Sequence, residues 1–235
     1  MAIRFFDMFA GIGGFRSGLE AIGGFECVGH CEIDKYANQA YNAIYEPKGE
    51  VYYEDARQIE PREMPDFDLL CGGFPCQSFS IAGRRGGFAD ARGTLFFEIA
   101  RIAAVKRPAY LLLENVPGLL SHDGGRTFAS ILGVLSELGY DVAWQVLNSK
   151  DFGVPQSRKR VYIIGYLGEG CPGEVFSFTE SNGKALMLPS MCTSAYMYQN
   201  FCKRNAMPGI PLYALKSFMI TSGRMKIAEV ITRND

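Results

Sequence analysis

A chain of 235 residues, 48% of them hydrophobic and 21% charged, holds enough apolar material for one sizeable α/β domain and excludes a disordered or fibrous protein. A formal net charge of -1 excludes a strongly basic nucleic-acid binder, while leaving room for a locally basic groove. No apolar run approaches the roughly 20 residues of a membrane span, and no signal-peptide pattern is present, so a soluble, cytoplasmic protein is expected.

From the N-terminus, short apolar runs alternate with amphipathic segments over about 165 residues, the pattern of βαβ units around a mostly parallel sheet. IRFFDMF (3–9) reads as a buried strand, GFRSGLEAI (14–22) as the helix after a glycine turn, and ECVGHCE (26–32) as a second strand. A helix from about Asp34 to Ile44 comes next, and a third strand ends near Asp55. FDLLC (67–71) and YLLLEN (110–115) are continuously apolar before they end in polar residues, as central strands covered on both faces are. Between them TLFFEIARIAAVK (94–106) has helical periodicity, and TFASILGVLSELG (127–139) is a further helix with a glycine stop. DVAWQVLN (141–148) and RVYIIGYL (160–167) close the unit as a strand pair. Beyond about residue 170 the periodicity fades and basic residues outnumber acidic ones, and no fold is predicted there.

The seven cysteines are 27, 31, 71, 76, 171, 192 and 202. An odd number without a secretory signal argues against a disulfide framework. Structural zinc is disfavoured, because neither the 27/31 nor the 71/76 pair has C-x2-C spacing and the two histidines, His30 and His122, sit badly for a mixed site. Cys27, Cys31 and Cys71 lie in apolar runs and are expected to pack in the core. Cys76 differs: two glycines and a proline precede it, which reads as a bend presenting one thiol.

Four stretches carry chemistry. In DMFAGIGGF (7–15) a strand runs into a glycine turn and then a helix, which lets backbone approach a ligand at a helix N-terminus. Glu32 ends the next strand, where an acid can accept hydrogen bonds from a ribose, and Asp55 could hold an adenine amino group. These features indicate an adenosine-containing cofactor without separating NAD from S-adenosyl-L-methionine. The Cys76 stretch continues into SFSIAGRRGGFADARG, a glycine-rich segment with Arg84, Arg85 and Arg92 that suits closure over an anionic polymer or a plain solvated loop. Glu114 and Asn115 end a central strand, and a carboxyl among apolar neighbours tends toward a raised pKa and general-acid work. In GVPQSRKRVYIIG (153–165), Arg158 and Arg160 alternate onto one face if the strand begins there, ready for phosphate or base contact.

Together DMFAGIGG, CEIDKYA, GGFPCQSFS, RGTLFFEIAR, LLLENVPG and QSRKRVYIIG resemble the DNA cytosine-5 methyltransferase family, in its order and approximate spacing, over residues 3 to about 167. The resemblance implies a Rossmann-like, S-adenosyl-L-methionine-dependent methyltransferase fold with helices on both faces of the sheet. It divides the chain into a catalytic and cofactor-binding domain (1–170) and a tail (171–235), a possible remnant of the target-recognition region. It implies that Cys76 adds to a cytosine flipped out of duplex DNA, that Glu114 holds the ring, and that Arg158 and Arg160 position the base and carry charge near the thiolate. The cofactor would lie against Phe9, Ala10, Gly11, Ile12, Gly13, Gly14, Glu32, Ile33, Asp55, Ala56, Pro75 and Leu95, and DNA against Gln77, Ser80, Arg84, Arg85 and Arg92. No metal is required, and a bacterial or phage restriction-modification role is implied. The tail shows neither a recognition region nor the family's late Gly-Asn-Ser segment. Either a truncated product or the catalytic part of an enzyme split over two chains is therefore expected, with weak or no activity alone and an exposed apolar patch where the missing segment docks. The alternatives are a tRNA cytosine-5 methyltransferase, an inactive subunit or remnant, and a nucleotide-dependent oxidoreductase.

Overall fold

The computed structural model describes residues 2–75 and 95–168, followed by three two-residue strands at 178–179, 185–186 and 191–192. Seven strands form the body of one sheet: β1 (Ile3–Met8), β2 (Phe25–Cys31), β3 (Val51–Tyr53), β4 (Leu69–Gly73), β5 (Tyr110–Asn115), β6 (Tyr140–Asn148) and β7 (Lys159–Leu167). Across the sheet they run β6-β7-β5-β4-β1-β2-β3. All contacts from β3 through β5 are parallel, and β7 alone reverses, pairing antiparallel with both β5 and β6. The predicted closing strand pair is therefore real, but its second member sits inside, between the first member and the parallel strands.

Among the described residues four α-helices, α1 (Gly14–Ile22), α2 (Lys35–Tyr45), α3 (Leu95–Lys106) and α4 (Arg126–Glu137), cover the sheet. The continuous apolar strands require cover on both faces, because successive side chains point oppositely. One core joins Phe6, Met8, Leu70, Leu111 and Leu113 to Phe96, Ile99 and Ile102 of α3 and Phe128, Ile131 and Leu135 of α4. The other joins Phe5, Leu69, Cys71 and Leu112 to Leu19 of α1. Tyr41 of α2 lies on this second side, its hydroxyl 3.6 Å from the Cys27 thiol. A fully buried Leu or Phe contributes roughly 1.5–3 kcal/mol relative to exposure, so these strands are the stable frame on which the rim residues stand. Cys27, Cys31 and Cys71 are buried free thiols, in packing roles as the sequence indicated.

Local signals set the element ends. Asp34 caps α2 by accepting from the N–H groups of Tyr36 (2.9 Å) and Ala37 (2.8 Å). Gly139, in a left-handed conformation, follows the last turn of α4 and turns the chain into β6. One expectation needs correction: Gly72 and Gly73 do not begin a bend. They continue β4, with Gly72 paired to Met8 and Leu113, and Gly73 to Glu114. A Cβ on Gly72 would stand 2.8 Å from the Met8 carbonyl oxygen, so glycine lets two strands approach rather than turning the chain.

In the tail, β8 (Phe178–Thr179) and β9 (Ala185–Leu186) pair with each other, and β10 (Met191–Cys192) adds antiparallel to the outer edge of β6. Among the described residues no helix is long and apolar enough to cross a membrane, and no group of three or more His, Cys, Asp or Glu side chains could hold a metal ion.

Candidate active site

Two rim regions meet at the carboxyl ends of the parallel strands, where ligands of open α/β sheets bind. The first lies beyond β1 and β2. Phe9, Gly11 and Gly13 all have positive φ (55°, 57° and 86°), so the segment coils tightly before α1 starts. Among the described residues nothing stands within 4 Å of a Cβ placed on Gly11 or Gly14, which leaves space over the turn. Ala10 anchors the segment, its N–H donating to the Cys31 carbonyl at 3.0 Å. Glu32 then answers the turn: its Oε2 accepts from the Gly11 N–H at 2.7 Å, and its Oε1 from the Asp34 N–H at 2.7 Å. An ionised carboxylate has about four lone-pair sites, so each oxygen keeps capacity for a ligand hydroxyl. Ile12 and Ile33 are 55% and 61% exposed and form an apolar lip on the same rim. The residues present fit an adenosine-containing group: open glycine backbone, a fixed diol acceptor and apolar cover.

Asp55 and Ala56 follow β3. Ala56 is buried, and the Asp55 carboxylate is engaged by Arg57, whose Nε (2.9 Å) and Nη2 (2.7 Å) donate to its two oxygens. That guanidinium holds the Asp55 carboxyl below its usual range. The adenine contact expected of Asp55 thus has a competitor already in place.

The second rim region lies beyond β4, β5 and the start of β7. Glu114, one residue from the end of β5, faces Gly73 on one side, where an added Cβ would meet its Oε2 at 3.2 Å. On the other side Arg160 of β7 places its Nε 2.6 Å from Glu114 Oε1. Burial pushes the Glu114 carboxyl upward, while Arg160 and then Arg158 pull it down; the upward effect wins. Strand β7 begins at Lys159, so Arg158 lies just before it and its N–H donates to Ser149 Oγ at 3.1 Å. Both arginines still act electrostatically on Glu114.

Asn115 does work that its strand-end position in the sequence only hinted at. Its buried Nδ2 donates to the Phe74 carbonyl at 2.7 Å, and its Oδ1 accepts from the Val116 N–H at 2.8 Å. This ties the end of β5 to the backbone two residues before Cys76. Phe74 is itself buried against Phe96 of α3, with ring centroids 5.4 Å apart, and Leu95 opens that helix. Pro75 is the last described residue here and is exposed. Cys76, Gln77, Ser80, Arg84, Arg85 and Arg92 lie outside the described residues.

A buried acid went unremarked in the sequence. Asp7, fully enclosed in β1, has its Oδ1 3.8 Å from the Cys71 thiol, and its Oδ2 has no hydrogen-bond partner among the described residues. Burial raises its pKa to about 7, against the lowering effects of Cys71 and Arg16. The signal was present as a lone acid inside the apolar run IRFFDMF.

A mostly parallel sheet with one reversed strand, a glycine turn answered by an acid after β2, and a carboxyl–guanidinium pair after β5 defines a Rossmann-like methyltransferase. Solved structures share the architecture: a putative DNA modification methyltransferase encoded within a prophage of E. coli superposes with a TM-score of 0.61 at 22% identity, over 84% of this chain and 55% of that one. The S. pombe Dnmt2 methyltransferase gives 0.59 at 26% identity, over 77% of this chain and 58% of that one. A model of the C-5 cytosine-specific DNA methylase family matches residues 3–192, and the chain belongs to that family. The match runs beyond residue 167, where the quoted motifs end, and takes in β10. The type II methyltransferase M.NgoBI of Neisseria gonorrhoeae is 52% identical over 160 residues, 68% of this chain and 49% of its own length. M.BanI of Aneurinibacillus aneurinilyticus is 51% identical over 175 residues, 72% of this chain and 39% of its own length. M.HhaI of Haemophilus parahaemolyticus is 48% identical over 162 residues, 69% and 48% of the two chains. The chain spans about half the length or less of these three relatives.

Proposed function

We propose that this chain methylates carbon 5 of cytosine in duplex DNA, with S-adenosyl-L-methionine as the methyl donor. The observation that carries the reading is the half-buried Glu114–Arg160 pair on the rim beside Gly73. The cytosine edge offers an acceptor at N3 and a donor at the exocyclic amine. A carboxyl whose pKa is held up by burial can donate to the first and accept from the second. A proton moved from Glu114 toward N3 draws electrons from carbon 6. The ordinary weakness of a thiol nucleophile is thereby offset by activation of the base.

Cys76 is the nucleophile in this reading. Its sulfur forms a bond to carbon 6 of a base extruded from the duplex, and carbon 5 gains electron density. Arg160 and Arg158 hold the Glu114 side in place and add positive potential for the thiolate. S-adenosyl-L-methionine, when bound, supplies an electrophilic methyl group for carbon 5. Water then takes the carbon-5 proton, and its electron pair re-forms the double bond between carbons 5 and 6 as the sulfur–carbon bond breaks. Cys76 leaves as thiolate, and the N3 proton returns to Glu114. Glu32, Ile12, Ile33 and the glycine turn hold the cofactor, and Asn115 positions the backbone leading into Cys76. The corresponding role is modification in a restriction-modification system, in keeping with the names of the relatives.

The test uses duplex DNA synthesised with 5-fluorocytosine at every cytosine, because fluorine at carbon 5 blocks the final proton loss and traps the adduct. With S-adenosyl-L-methionine present, a denaturation-resistant protein–DNA species is expected and should vanish in Cys76→Ala. The assay is run with the chain alone and mixed with the C-terminal half of a relative, so it also decides whether a second chain is needed. An adduct that survives in Cys76→Ala, or methyl transfer to tRNA in preference to DNA offered beside it, overturns the reading.

A further inference from the structure

The glycine turn is held from below as well as from the Glu32 side. Gly13, left-handed at φ 86° and ψ 40°, is the N-cap of α1 and offers no side chain of its own. Its carbonyl accepts two hydrogen bonds, from the Ser17 N–H at 2.9 Å and from the Tyr45 hydroxyl at 2.7 Å. The first is the ordinary opening bond of the helix. The second comes from the last residue of α2, far along the chain, and fixes the direction of the Gly13 carbonyl.

Tyr45 has little freedom to do anything else. Its ring lies 4.5 Å from the guanidinium carbon of Arg16 and 4.8 Å from the ring of Tyr41. Arg16 is buried and is clamped by Glu50 through two bonds of 2.6 and 2.8 Å, by Glu20 at 2.7 Å, and by the Tyr41 hydroxyl at 3.1 Å. A Cβ on Gly13 would stand 2.3 Å from the Tyr45 ring, so the turn and the tyrosine occupy adjoining space with no slack. Because a peptide unit is planar, pinning the Gly13 carbonyl also sets the direction of the Gly14 N–H, at the head of α1.

We propose that Tyr45 is a positioning residue of the cofactor site: its hydroxyl, held by the Arg16 cluster, sets the Gly13–Gly14 peptide and so the shape of the turn that receives S-adenosyl-L-methionine. This rests on the cofactor reading given above. Phenylalanine at this position would keep the ring, its packing and its contact with Arg16, and would remove only the hydrogen bond to Gly13.

The test is therefore Tyr45→Phe in the full chain, with two measurements made well below the unfolding temperature. Calorimetric titration with S-adenosyl-L-methionine is expected to show an affinity about 3- to 10-fold weaker than wild type, the size of one lost hydrogen bond. Amide exchange is expected to quicken over residues 9–18, while α4 and β6 keep wild-type protection. A tyrosine that merely stabilises the fold would lower the unfolding temperature without changing affinity or exchange at the turn, and that result overturns the proposal. Exchange that quickens equally in α4 and β6 overturns it too. Failure of the wild type to bind S-adenosyl-L-methionine, with NAD titrated in parallel, would bring down the cofactor reading itself. Wild-type binding left intact by Tyr45→Phe brings down this proposal alone.

Discussion

The two rim carboxylates, Glu32 and Glu114, are held in opposite ways. Glu32 accepts from two backbone N–H groups, Gly11 and Asp34, both supplied by chain close to the ends of β1 and β2. Glu114 is met by a guanidinium from β7, a strand that reaches it only because it inserts between β5 and β6. Two backbone donors fix the Glu32 carboxylate in place, which suits an acceptor of ligand hydroxyls. A half-buried carboxyl paired with Arg160 and felt by Arg158 is balanced between burial and pairing, which suits the proton-moving role proposed for it. One acid is fixed by backbone, the other is set between burial and charge.

Glu114→Gln strikes the titrating half and has the largest expected effect. The amide is nearly isosteric but has no acidic proton for N3, and the charge of Arg160 loses its partner. The methylation rate should fall by roughly 10²–10⁴-fold, the range for a removed general acid. S-adenosyl-L-methionine affinity should stay near wild type, because the Glu32 side is untouched. A parallel collapse of cofactor binding would show that the two halves are not separable.

Glu32→Ala strikes the other half. It removes the ligand acceptors and also frees the Gly11 and Asp34 N–H groups, so the turn loses its tie to β2. Cofactor affinity, read by calorimetry, should weaken by about 10- to 100-fold, in line with one or two lost charge-assisted hydrogen bonds. Glu32→Gln should fall between, since its single amide oxygen can serve only one of the two N–H groups. Equal affinity in Glu32→Gln and Glu32→Ala would mean that charge, rather than the geometry of the tie, is what matters.

The same contrast explains what the sequence disclosed. The parts of the proposed cofactor half were legible because they are local: a strand, a glycine turn, a helix, and an acid after the next strand, at spacings that short-range geometry dictates. The elements themselves were legible for a related reason, since LLL in β5 or FF in β1 can be buried on both faces only in a covered sheet. What stayed hidden depends on pairing between distant segments. The insertion of β7 beside β5 brings Arg160 to Glu114, and no local pattern encodes it. Gly72 and Gly73 read as a bend because glycine more often marks turns, whereas here neighbouring strands crowd one and a carboxylate crowds the other. The Asn115–Phe74 and Tyr45–Gly13 bonds belong to the same class: each links ends of elements that only the folded sheet brings together.

Asp7 gives the smallest effect and the sharpest sign. It lies at the base of the cofactor half, beside Cys71 and within the fields of Arg16 and Glu32, and burial raises its pKa from 3.8 to about 7. Below about pH 4 the acid is protonated in both the folded and unfolded chain, and it has no effect on stability. Between about pH 4 and pH 7 the unfolded chain releases the proton while the folded chain keeps it, so the unfolded state binds fewer protons and stability falls as pH rises. Above about pH 7 the penalty is complete. Asp7→Asn removes the titration while keeping the shape of the side chain. Its unfolding temperature should match wild type near pH 4 and exceed it near pH 8, by about 2–4 °C for each kcal/mol of penalty removed in a chain of this size. A difference that is constant across that range would mean that Asp7 acts through its contacts with Cys71 and the start of α1 rather than through its charge. The satisfied carboxylate on the rim would then have no strained counterpart beneath it.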